Sequence, residues 1–213
     1  MIIAIDGPAA AGKGTLARRV SEHLNLAYLD TGLLYRAVGK KVLDAGDDPE
    51  NAEAAEKVAR ALVPDDLKAD GLRVDAVGQA ASKVSAVPGV RAALLDFQKD
   101  FAKTPPAGSD GAVLDGRDIG TVVCPDATAK LFITASTEVR AERRFKELHR
   151  ADSTVIYARV LEDMKERDER DSSRSVAPLE PAQDAKILDT SQLDTDQVFE
   201  QALAFIASKT QKA

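Results

Sequence analysis

A single cysteine, Cys124, stands in 213 residues. No intramolecular disulfide can form, and no CxxC pair is present to bind a metal or exchange electrons, which suits a reducing cytosol. Cys124 itself reads as a small buried apolar residue. Also missing is any apolar run near the roughly 18 residues that cross a bilayer, and the N-terminus has neither the basic nor the apolar part of a secretory signal. A cytoplasmic location without a membrane partner is therefore expected. Net positive charge is lacking too: the formal charge is −6 and the pI about 5.1. Such a molecule repels polyanions as a whole, so nucleic acid is not an expected partner and any phosphate site must be local. There are only two histidines, His23 and His149. Each falls near a helix end and reads as a surface group rather than a proton carrier. Internal repeats and low-complexity tracts are absent.

What the chain does have begins at residue 1. Met1-Ile-Ile-Ala-Ile-Asp-Gly-Pro-Ala-Ala-Ala-Gly-Lys-Gly-Thr15 passes from a β-branched apolar run into a glycine-rich turn that ends in lysine. Residues 2 to 5 are too few for a buried helix and suit a central parallel strand covered on both faces. In the pattern Gly-x4-Gly-Lys, successive main-chain N–H groups point into one concavity and the next helix adds its positive end, so a polyphosphate fits. The candidate nucleotide cradle is Gly7, Pro8, Ala9, Ala10, Ala11, Gly12, Lys13, Gly14 and Thr15, with Lys13 placed for the β- and γ-phosphates. The general motif has Ser or Thr directly after the lysine. Here Gly14 intervenes, which leaves the direct protein ligand of a Mg²⁺ ion unknown.

Leu16, Val20 and Leu24 recur at helical spacing, which predicts a helix from Gly14 to about Leu24. A short strand at Ala27-Tyr-Leu29, closed by Asp30-Thr-Gly32, then leads to a helix near Leu33. Another helix is predicted over Asn51 to Leu62. From Val63 to about Val77 the periodicity is lost, which predicts a small exposed insertion. Helices at Val77 to Ala86 and Val90 to Lys103 precede strands at Ala112-Val-Leu114 and Lys130-Leu-Phe-Ile-Thr134. Ser136 opens a helix to about Arg150, a break at Asp152-Ser-Thr154 follows, and a second helix runs to about Asp171. Lys186-Ile-Leu-Asp189 and Thr195 to Lys209 read as the last strand and closing helix. Strands alternating with helices predict a parallel sheet with its ligand at the strand carboxyl ends.

Three further stretches bear on the chemistry. Leu114-Asp-Gly-Arg-Asp-Ile-Gly-Thr121 follows a strand, so Arg117 can fork onto a phosphate and Asp118 can accept from an exocyclic amine such as cytosine N4. As an Asp-Gly turn with a surface ion pair it would carry no function. Arg140, Arg143 and Arg144 stand at i, i+3, i+4, and Arg167, Arg170, Asp171 and Arg174 at i, i+3, i+4, i+7, so each set is predicted to project from one helix face. Two basic faces meeting across a break suit a hinged lid over transferring phosphates; the alternative is a solvated face of mixed charge. In Leu29-Asp-Thr-Gly-Leu-Leu-Tyr-Arg36, Thr31 and Arg36 stand about one helical turn apart at another strand end, where both can hold a phosphate.

Together these stretches closely resemble the bacterial cytidylate kinase family of P-loop nucleoside monophosphate kinases. Leu114 to Val123, Lys165-Glu-Arg-Asp-Glu-Arg-Asp171 and Arg174-Ser-Val-Ala-Pro178 are the most specific matches, and the likeness spans most of the chain. It implies an α/β P-loop NTPase-like three-layer fold with a central parallel sheet, a small NMP-binding insertion and a helical lid. All of 1–213 would be one kinase domain, with a core at about 1–30, 110–140 and 175–213, the NMP lobe at about 31–105 and the lid at about 141–170. The implied reaction moves the γ-phosphoryl group of ATP, with Mg²⁺, to CMP or dCMP in pyrimidine nucleotide metabolism. By the resemblance Gly7 to Thr15 holds ATP, and Thr31, Arg36 and Arg117 hold the acceptor phosphate. Ser82, Arg91 and Asp118 read cytosine, Arg167 and Asp171 hold the sugar, and Lys13, Arg143 and Arg174 act on the transferring group. A monomer is expected. Another P-loop kinase, or a slowly hydrolysing nucleotide switch, is the alternative, although no Asn-Lys-x-Asp guanine-reading segment is present. The family insertion after the third helix is often longer than Val63 to Val77; this departure bears on the base grip between Arg73 and Arg91 and leaves the choice between CMP and dCMP open.

Overall fold

The structure, a computed structural model, describes residues 1–150 and 152–210. Position 151, inside the expected lid, lies outside the described residues. The order of elements is β1 (Ile2–Asp6), α1 (Lys13–His23), β2 (Ala27–Asp30), α2 (Thr31–Asp44), α3 (Ala52–Arg60), α4 (Asp75–Val84), α5 (Pro88–Lys103), β3 (Ala112–Gly116), β4 (Ala129–Thr134), α6 (Thr137–His149), α7 (Tyr157–Ser173), β5 (Lys186–Asp189) and α8 (Thr195–Thr210). The chain divides into two compact units, Met1–Leu29 with Phe101–Ala213, and Asp30–Asp100.

The first unit is built on one five-stranded sheet in the order β2-β3-β1-β4-β5. The pairings of β1 with β3, β1 with β4, and β4 with β5 are parallel, with Ile3 opposite Val113 and Asp6 opposite Phe132. Ile3, Ala4 and Ile5 are fully buried, as a strand covered on both faces requires, and this is why β1 reads as an unbroken apolar run. Leu16, Ala17 and Val20 of α1 and Val198, Ala202 and Ile206 of α8 pack with Ile5, Leu131 and Ile133 into one core. β1 has β3 on one side and β4 on the other, so the crevice at its carboxyl end is where an α/β sheet places a ligand. α6 starts where Ser136 accepts from the Val139 N–H at 3.3 Å, in keeping with its N-cap role.

The second unit has its own core, in which Leu34, Val38 and Val42 of α2 meet Ala55 and Ala59 of α3, Val84 of α4, and Val90 and Leu94 of α5. α2 and α4 approach so closely at Gly39 that a Cβ there would lie 2.9 Å from the Ala81 nitrogen and 3.0 Å from the Ala80 Cβ. Gly39→Val forces these helices apart. It is expected to cost about 1–3 kcal/mol, the usual range for overpacking, and to lower the urea midpoint. A midpoint equal to the parent's would contradict this close approach.

Two expectations need correction. Residues 63–77 are not simply an exposed insertion: Pro64–Lys68 forms a 3-10 turn, Leu72 is buried, and α4 begins at Asp75. Pro64 pre-sets the turn, while Asp66 accepts from the Val63 N–H at 3.0 Å and from Lys41 Nζ at 2.8 Å. Local polar bonds of this kind leave no apolar period to read. Arg174 does not share the helix face of Arg167 and Asp171, because α7 ends at Ser173 and Arg174 turns to φ −56, ψ 136.

Candidate active site

The site begins where β1 ends. Gly7 takes φ 142, and a Cβ on it would lie 1.9 Å from the Ile133 carbonyl oxygen, so only glycine fits. Gly12, at φ 97, is the N-cap of α1; no side chain caps that end and its first turn carries no acid. The first N–H groups of α1 are thus left to an anion. Lys13 is buried and folds back so that Nζ donates to the Pro8 carbonyl at 2.8 Å. Burial, followed by the nearby Arg117 and Arg167 guanidinium groups, brings its pKa down from 10.5 to about 7, with Asp115 and Asp6 opposing. Ala11 lies fully buried beneath the loop, whereas Gly12 and Thr15 are exposed at its mouth.

Beside this loop, the end of β3 delivers Asp115, Arg117 and Asp118. Asp115 is buried, accepts from Tyr28 Oη at 2.8 Å, and places Oδ2 3.4 Å from where a Cβ on Gly14 would be. Arg117 Nε donates to Asp171 Oδ2 at 2.9 Å and its Nη1 to the Gly116 carbonyl at 3.2 Å. Arg174 Nε donates to the Asp171 carbonyl at 3.1 Å. Burial would push the Asp171 carboxyl up, but Arg117, Arg167 and Arg174 outweigh it and hold the group below the usual carboxylate range. Lys13, Arg117, Arg167, Asp171 and Arg174 therefore belong to one electrostatic cluster in this unit. Asp118, buried, begins the single wide turn Ile119–Val123.

Behind the turn sits Asp6, whose two oxygens accept from the Ile119 N–H at 2.8 Å and the Gly120 N–H at 2.7 Å. Burial raises its pKa to about 6; Asp118 adds to the rise, while the two N–H bonds and Lys13 oppose it.

The three arginines at the start of α6 do not form one basic face. Arg140, 4% exposed, donates to both oxygens of Asp168 at 3.0 and 2.5 Å, to the Ala135 carbonyl at 2.9 Å and to the Ala9 carbonyl at 3.3 Å. It ties α7 to the phosphate loop. Arg144 pairs with Glu147 at 2.9 Å. Arg143 turns to Thr190, donating to its Oγ1 at 3.0 Å and its carbonyl at 2.7 Å. Arg143 and Thr190 line a cavity of about 430 Å³ with Gly12, Thr15, Leu193 and Val198. Thr190 Oγ1 has one proton for the Ala11 and Thr134 carbonyls, 3.2 and 3.1 Å away.

Within the second unit, Thr31 is buried at the start of α2 and Arg36 Nη1 donates to the Leu72 carbonyl at 2.9 Å. The Arg36 guanidinium lies against Gly78, 3.2 to 3.3 Å from where its Cβ would be. Arg91, buried, donates to the Ser85 carbonyl at 3.2 Å, and its guanidinium carbon is 5.5 Å from the centre of the Tyr35 ring. Ser85 Oγ donates in turn to the carbonyl of buried Ser82 at 2.8 Å, so Ser82 and Arg91 are linked through Ser85. Arg73 instead meets Asp30 at 3.2 Å.

Sequence reasoning missed Asp6, Asp115, Asp168 and Thr190, and set Arg140 on a basic face without its partner Asp168. For the first two a signal existed: each is a carboxylate at the end of a buried strand, immediately before a glycine. Arg140 and Asp168 stand 28 residues apart with nothing in their spacing to pair them.

A parallel sheet with a phosphate loop after its central strand, and lysine and arginines gathered at the loop, defines a P-loop phosphotransfer protein. A crystal structure of an uncharacterized protein from Eubacterium ventriosum shares this fold with a TM-score of 0.57, at 16% identity over 98% of this chain and 99% of that one. The family model described as cytidylate kinase matches residues 3–208. A cytidylate kinase from Paramagnetospirillum magneticum is 66% identical over 208 residues, 98% of each chain. Another, from Rhodospirillum rubrum, is 59% identical over 212 residues and 100% of each chain. The chain belongs to the cytidylate kinase family.

Proposed function

We propose that this protein transfers the γ-phosphoryl group of ATP to CMP or dCMP, giving ADP and CDP or dCDP. The observation that carries the reading is Lys13, enclosed at an uncapped helix end where burial first, and then the nearby Arg117 and Arg167, bring its pKa down to about 7. A polyphosphate suits such a site, because it favours the charged lysine and adds negative charge where Asp115, Asp6 and Asp171 only partly offset the cations.

An oxygen of the acceptor phosphate attacks the γ-phosphorus, the bond to the β–γ bridging oxygen breaks, and ADP leaves; no covalent enzyme intermediate is required. The loop N–H groups of Gly7 to Thr15 and Lys13 hold the triphosphate. The cavity of about 430 Å³ beside Gly12 and Thr15 offers room for the adenosine part, with Arg143 on its wall. Thr31, Arg36 and Arg117 are assigned to the acceptor phosphate, Ser82, Arg91 and Asp118 to cytosine, and Arg167 and Asp171 to the sugar. Arg174 is assigned to the charge on the transferring group. Mg²⁺ takes hard oxygen ligands, commonly one carboxylate plus phosphates and water, and the donors beside Lys13 fit: buried Asp115 and the Thr15 hydroxyl would hold it. When bound it draws charge from the β- and γ-oxygens. The reading carries with it a cytoplasmic monomer acting on small molecules, in line with a net charge of −6.

A coupled ADP-release assay with each monophosphate in turn tests this. CMP and dCMP are expected to drive turnover and UMP to be far poorer. Best use of AMP, UMP or shikimate, or turnover without any acceptor, would overturn it.

A further inference from the structure

Asp6 has no part in the assignments above, yet it is 5% exposed and holds two N–H groups far along the chain. Its own main chain runs directly into Gly7, where the phosphate loop starts. Its side chain fixes the peptides on either side of Ile119, the first of which begins at Asp118. One residue thus bonds the phosphate loop to the turn that presents Arg117 and Asp118. Neighbouring groups leave little slack: Gly120 has Asp6 Oδ2 3.4 Å and the Lys130 side chain 3.2 Å from its Cβ position.

We propose that Asp6 is a positioning residue for acceptor recognition, setting the direction of the Asp118 carboxylate through the Ile119 and Gly120 amides. A carboxylate is the group for this task, because two adjacent N–H donors need two acceptors and Asp6 supplies one oxygen to each. Asparagine keeps the shape but supplies only one acceptor. Its NH₂ would face an N–H, and the turn would have to move. The inference rests on Asp118 reading cytosine.

The experiment is Asp6→Asn, with steady-state constants for CMP, UMP and ATP. Losing one charged hydrogen bond's worth of alignment is expected to raise the KM for CMP about tenfold or more and to narrow the CMP-to-UMP ratio of kcat/KM by a similar factor. The KM for ATP is expected to stay within about threefold, since a purely structural fault would weaken both substrates together. An unchanged CMP-to-UMP ratio, or equal losses for ATP and CMP, would overturn the proposal. Hydrogen exchange in the parent protein gives a readout that needs no variant: the Ile119 and Gly120 amides are expected to be protected, and rapid exchange at both refutes the clamp even if Asp6→Asn does not fold. A parent that fails to prefer CMP would instead sink the proposed function, with the amide protection still deciding the contact.

Discussion

Replacing Lys13 with methionine is expected to lower kcat by about a thousandfold, as loss of one charge aimed at a transferring phosphoryl group does, while making the folded protein more stable. Both effects come from one fact: the amine is buried, and burial with Arg117 and Arg167 nearby lowers its pKa from 10.5 to about 7. Below about pH 7 the lysine is charged in folded and unfolded chains alike, so the cost of enclosing that charge is present in full. Between about 7 and 10.5 the folded chain releases its proton first, and the cost fades. The stability advantage of Lys13→Met should therefore be largest below neutrality and shrink toward pH 10, as read by Tm across a pH series. ATP reverses the situation, because its phosphates favour the charged amine. Binding at pH 8 should take up about one proton in the parent and none in the variant, measured by calorimetry in two buffers of different ionisation enthalpy. A variant that keeps a tenth of the parental kcat, or that is less stable than the parent at pH 6, would contradict this account.

The same burial explains what could be read from the sequence and what could not. β1, β3 and β4 were legible because central parallel strands are covered on both faces, which leaves apolar runs such as Ile2 to Ile5 between turn residues. The phosphate loop was legible because its backbone demands glycine at Gly7 and Gly12, and that demand is local. Arg117 and Asp118 could be placed at the loop's edge of the sheet because they directly follow a buried strand. The arginines of α6 could not be sorted by spacing. Arg140, Arg143 and Arg144 share a helical arc, yet one is tied to Asp168, one to Thr190 and one to Glu147. Those partners lie on elements whose approach is set by tertiary packing. Arg174 failed as a helix-face residue for a simpler reason: the helix is expected to stop near Asp171 and does stop at Ser173, so the i+7 spacing from Arg167 has no helical meaning at Arg174. Asp6 stands at the end of an apolar run before a glycine, and its bonds to amides more than a hundred positions away have no trace in periodicity.

Asp118→Asn is expected to collapse the preference for CMP over UMP by about a hundredfold to a thousandfold, the worth of one charge-assisted hydrogen bond lost together with one mismatch relieved. Cytosine offers an amine at position 4, which a carboxylate accepts; uracil offers an oxygen there, which leaves a buried carboxylate facing another acceptor. Asp118 is only 5% exposed, so water cannot mend that mismatch cheaply. An amide can turn either end toward the base. It keeps a weaker, neutral bond to cytosine and gains a donor for uracil, so kcat/KM should fall for CMP and rise for UMP. The ratio of CMP to dCMP should not move, because the contact is with the base, nor should the KM for ATP. Asp118 also helps to raise the pKa of Asp6 to about 6, so removing its charge should lower that value while the Ile119 and Gly120 amides stay protected from exchange. Asp6→Asn is expected to narrow base discrimination while changing those amides. Measured side by side, the two variants separate the group that reads the base from the group that aims it. If the CMP-to-UMP ratio survives Asp118→Asn unchanged, cytosine is recognised elsewhere and both assignments fall together.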